Sequence, residues 1–102
     1  MRDSLANLHC FAFESITPDA ATSPNASNLA DTTPTVHCVA IEVVTSNQAA
    51  RYRIDGAADP TTAVGALVPA AQSRFVWGKD NCDRLRIINV VAGGVVSLLY
   101  YR

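Results

Sequence analysis

No stretch of this chain approaches the roughly 18 consecutive apolar residues that cross a bilayer, and its opening Met1-Arg2-Asp3-Ser4-Leu5 lacks the apolar core of a secretion signal. The expectation is a protein made soluble in a cytoplasm, with no membrane to meet. Charge is scarce too. Asp, Glu, Lys and Arg make up 17% of the residues, against a usual share of about 25%. Eight basic side chains oppose nine acidic ones for a net charge of -1, which offers no global field to a polyanion, so nucleic acid is not an expected partner. The three cysteines, Cys10, Cys38 and Cys82, form neither an even set nor a C-x-x-C pair, which argues against a secreted disulfide scaffold and for reduced thiols. P-loop, G-x-G-x-x-G and G-x-S-x-G patterns are missing, and so is any helical periodicity that persists for two turns.

What is present is apolar and β-prone. At 102 residues and 10.9 kDa the chain has room for one core and one domain. Its apolar share of 49% is too high for intrinsic disorder. With so little charge to cover it, part of that apolar surface is expected to meet a partner.

Residues 8–14, with two phenylalanines, read as a first strand. The following 15–35 holds three prolines among Ser, Thr, Asn, Asp and Ala, so it reads as a long loop or extended arm. Residues 36–45 are rich in β-branched side chains and give the strongest strand signal. After the turn residues 46–48, the run 49–54 alternates, with Tyr52 and Ile54 on one face and Arg51 and Arg53 on the other, and this pair reads as a hairpin. A short strand is expected within 63–68, and another at 73–77 ending in the turn 78–81. From Arg84 the basic/apolar alternation returns, placing Leu85 and Ile87 in the core and Arg84 and Arg86 outside. Ala92-Gly93-Gly94 reads as a hairpin turn into a closing strand, 95–101. Six or seven strands without helices predict a small antiparallel β-sandwich or barrel, carrying a long irregular N-terminal arm.

Few residue constellations suggest chemistry. His9-Cys10 and His37-Cys38 repeat a dipeptide on two expected strands, where cross-strand pairing would bring the sulfurs to one face and the imidazoles to the other. Adjacent strand residues point to opposite faces, so the four cannot form a tetrahedral zinc set. Asp55, Asp59, Asp80 and Asp83 fall in turns without EF-hand spacing. Arginines on expected strands beside Tyr52 or Phe75 could form a single-strand platform, but the acidic turns cancel their charge. No catalytic residue, metal ligand or cofactor is expected.

The stretch 51–65, Arg-Tyr-Arg-Ile-Asp-Gly-Ala-Ala-Asp-Pro-Thr-Thr-Ala-Val-Gly, resembles the R-Y-R-x-D-G-x-x-P-T type sequence of small β-structured structural proteins of tailed bacteriophages, with one extra residue before Pro60. An apolar strand before it and paired tyrosines at the end of the last strand extend the likeness over residues 36–102. The resemblance implies a virion structural protein rather than an enzyme, of the capsid decoration or cement type. Such a protein sits on the capsid surface as a homotrimer and binds the major capsid protein. Tail, fibre and head-tail connection components share the look, and a glycan- or ligand-binding β module is the alternative from another class. The expected contact residues are Arg51, Tyr52, Arg53, Trp77, Arg84, Arg86, Tyr100 and Tyr101, because tyrosine, tryptophan and arginine are enriched at interface anchors.

Overall fold

The computed structural model describes residues 8–22 and 38–102. Among the described residues seven strands follow one another: β1 (Cys10–Ile16), β2 (Ala40–Thr45), β3 (Ala50–Arg53), β4 (Ala66–Val68), β5 (Ser73–Trp77), β6 (Arg86–Asn89) and β7 (Val96–Tyr101), with one short helix, α1 (Lys79–Arg84), before β6. They form a four-stranded sheet in the order β1-β7-β2-β5 and a three-stranded sheet in the order β4-β3-β6. Every strand pair is antiparallel.

Side-chain alternation explains both sheets. In β7, Val96, Leu98 and Tyr100 are buried while Ser97, Leu99 and Tyr101 reach the other face. Ile41 and Val43 of β2 join that buried set, as does Val76 of β5. From the second sheet come Ala50, Val68 and Ile87, so the two sheets share one core. Tyr52 and Ile54 pack against it and Leu85 is fully buried. The expected faces of 51–54 and 84–87 are therefore the observed ones.

Two expected hairpins do not form, for one reason. β2 is flanked by β5 and β7, and β7 by β1 and β2, so neither has a free edge for its neighbour in sequence. The chain instead changes sheet at both places. At the first, the Ser46 amide donates to Val95 O (3.3 Å) and the Ala71 amide donates to Ser46 O (2.7 Å). The buried Thr45 hydroxyl donates to Pro69 O and accepts from the Gln72 amide. At the second, Gly94 lies against the first: a Cβ built there would stand 2.8 Å from Gln48 Cβ and 3.0 Å from Asn89 Oδ1. Only glycine lets the two sheet-changing corners approach this closely.

The turn expected at 78–81 is the start of α1. Lys79 and Asp83 close an i,i+4 ion pair at 2.7 Å, Asn81 Nδ2 donates to Trp77 O, and Cys82 is buried. Six residues are too few for a periodic signal, and β6 accordingly begins at Arg86 rather than Arg84.

Of the long loop or arm expected at 15–35, residues 15–22 are part of the fold. Ser15 and Ile16 belong to β1, and Pro18 is buried. Thr22 forms a bridge with Ile87 through both amides (2.8 and 2.9 Å), and the Asn89 amide donates to Pro18 O at 2.7 Å. Residues 18–22 thus cover the outer edge of β6. The remaining 23–35, together with His37, lies outside the described residues.

Candidate functional site

The outward face of the four-stranded sheet is built by register. One cross-strand row places Tyr101, Ala40 and Trp77 side by side. The next aligns Phe13, Leu99, Glu42 and Phe75. A third runs Ser15, Ser97, Val44 and Ser73, with the Ser15 and Ser97 hydroxyls 3.4 Å apart. Five large apolar or aromatic side chains therefore gather in two adjacent rows.

Their rings are ordered against one another. Phe75 and Trp77, two residues apart on β5, stack with centroids 5.3 Å apart and planes 23° from parallel. Tyr101 meets Phe75 at 5.6 Å, within the range of favourable aromatic pairs. Its phenol donates to Glu42 Oε1 at 2.9 Å. Burial and that carboxylate push the Tyr101 phenol up to about 12, so it stays a neutral donor across the physiological range. Glu42 is thereby fixed in the middle of an apolar surface. Phe13, on the strand at one edge, is 53% exposed.

The remaining expected contact residues are placed elsewhere. Tyr100 is fully buried, and its hydroxyl donates to Glu14 inside the core. Tyr52 packs inward from the three-stranded sheet. On that sheet's outer face Arg51 holds the 61–65 loop, donating to Thr62 O at 3.2 Å and Gly65 O at 2.9 Å. Arg53 pairs with Asp55. Arg84 and Arg86 border a groove of about 490 Å³ closed by residues 56–59 and Asp83, where Arg86 lies 3.8 Å from Asp59. The arginines are thus mostly engaged within the chain, and of the eight expected residues Trp77 and Tyr101 alone share the aromatic face.

Phe13, Leu99 and Glu42 are the members that sequence reasoning missed, and Phe75 was expected beside arginines rather than in this cluster. Their signal is the i,i+2 alternation Phe75/Trp77 and Leu99/Tyr101, which becomes a surface only once strand register is known. The cross-strand Cys10 and Cys38 pairing is also absent: β7 stands between them, Cys10 is exposed, and Cys38 meets Cys82 instead. Among the described residues no group of three or more His, Cys, Asp or Glu side chains could hold a metal, and no helix is long and apolar enough to cross a membrane.

No protein-family model, curated protein or solved structure matches the chain.

Proposed function

We propose that this chain is a non-enzymatic binding component of a virion, of the capsid decoration type, which docks on the major capsid protein through the outer face of its four-stranded sheet. In this reading the two sheets pack face to face as a β-sandwich, and the protein acts as a homotrimer on the head surface. The observation that carries the docking role is the cluster of Phe13, Leu99, Phe75, Trp77 and Tyr101 on one sheet face. Covering such a face removes apolar area from water at roughly 25 cal/mol per Å². Aromatic anchors of this kind supply most of the binding energy at protein interfaces. The sequence resemblance over residues 36–102 supports the virion setting.

Expanded heads lacking the protein, mixed with the purified full chain, should carry it down on sedimentation. Phe13→Ser and Trp77→Ala should each weaken that binding about tenfold, or about 1.4 kcal/mol. Unchanged affinity in both variants overturns the docking face, and failure to bind heads while binding tails or connectors overturns the capsid setting. Sedimentation equilibrium reads the trimer.

A second reading has its own support in the Phe75–Trp77 stack beside the anchored Glu42, since a flat aromatic surface next to a carboxylate suits a sugar ring. It predicts glycan binding on an array, abolished by Trp77→Ala, and no attachment to heads.

A further inference from the structure

Two thiols meet inside the core. Cys38 lies just before β2 and Cys82 on α1, separated by 44 residues, and their Sγ atoms are 3.9 Å apart. Exposure is 1% for Cys38 and 0% for Cys82. Each sulfur also approaches a backbone carbonyl, Cys38 that of Ala40 at 2.9 Å and Cys82 that of Val76 at 3.6 Å. Cys10 cannot compete for either, because it is exposed on β1, on the far side of β7.

We propose that Cys38 and Cys82 are a disulfide-forming site, oxidised by hydrogen peroxide to a bond that fastens α1 to the start of β2. A disulfide needs its sulfurs at about 2.05 Å, so rotation of the two side chains must close the gap. The Cys38 sulfur attacks one peroxide oxygen; the O–O bond breaks, and a sulfenic acid and one water result. The Cys82 sulfur then attacks the sulfenyl sulfur; the S–S bond forms, the S–O bond breaks, and its proton leaves with the oxygen as a second water. The two thiols together lose two electrons and hydrogen peroxide gains them. Contact with Cys38 and burial push the Cys82 thiol up, and the atom and electron balance is the same whichever sulfur is oxidised first. The closed loop encloses β2 to β5, and restricting it in the unfolded chain stabilises the fold.

The test uses the full chain carrying Cys10→Ser, so that only the two core thiols report. After exposure of the folded protein to hydrogen peroxide, denaturation and iodoacetamide should give no labelled cysteine, an intact mass lower by two hydrogens, and a peptide map joining the segments around Cys38 and Cys82. The melting temperature should rise by roughly 10 °C, an effect that dithiothreitol reverses. Full labelling of both sulfurs, oxygen added without a cross-link, or a bond between two molecules overturns the proposal. With Cys82→Ala added, Cys38 should instead gain one oxygen as a sulfenic acid, trapped by dimedone, and form no internal cross-link; should that variant fail to fold, the peptide map of the intact pair still decides.

Discussion

Tyr100 and Tyr101 are neighbours with opposite duties. Tyr100 is buried with its hydroxyl on Glu14, a contact that ties β1 to β7 across 86 residues of sequence, while Tyr101 holds Glu42 at a partly open surface. Burial and Glu14 also push the Tyr100 phenol well above the ordinary tyrosine range, so it remains a donor wherever the protein is folded. Tyr100→Phe should therefore lower stability by about 1 to 3 kcal/mol. It would read as a lower denaturant midpoint at unchanged slope. Tyr101→Phe, at its half-open position, should shift the midpoint by less than about 1 kcal/mol. Equal effects would mean that depth does not separate the two hydroxyls.

At the scale of elements, segment 17–22 and the glycine corner are stitched together by Asp19. Its Oδ1 accepts from the Gly93 amide and from Asn89 Nδ2, both at 2.9 Å, and Asn89 also donates to Gly94 O at 2.8 Å. Those donors hold the Asp19 carboxyl below its usual range, the Gly93 amide most strongly. A carboxyl depressed in the folded state stabilises at pH above its unfolded value of about 3.9 and loses that contribution as pH falls through the folded value. Acid titration of stability should thus fall more steeply below that value in the natural protein than in Asp19→Asn. Parallel titrations would show that the corner does not depend on the charge. This stitch was illegible in the sequence, where 15–35 reads as polar loop: Asp19 finds its partners 70 and 74 residues away. Strand faces were legible, because alternation is local; Tyr52 and Ile54 against Arg51 and Arg53 needed nothing beyond their own order. Pairing was not, since the edges of β2 and β7 are taken by strands distant in sequence. The aromatic face shares that fate. Trp77 and Tyr101 stand out as candidate anchors by residue type, but Phe13 and Leu99 join them on one face only through register.

For the molecule as a whole, one core serves both sheets. Ile87 belongs to the three-stranded sheet, yet it is fully buried in the cluster that includes Ile41, Val43 and Leu98 of the other. Ile87→Asp places an unpaired carboxylate there, which costs several kcal/mol, on the order of a small domain's entire stability. It should unfold the four-stranded sheet as well, with Trp77 fluorescence shifting to that of a solvated indole. A folded Trp77 environment in that variant would show that the sheets stand independently.

The central place of β7 has a kinetic consequence. During synthesis β1 and β2 emerge long before the strand that lies between them, so the larger sheet cannot assemble progressively behind the ribosome. Apolar strand edges stay exposed until β7 arrives, and contacts of such long range form slowly. The nascent chain is therefore most vulnerable to aggregation just before β7 is made.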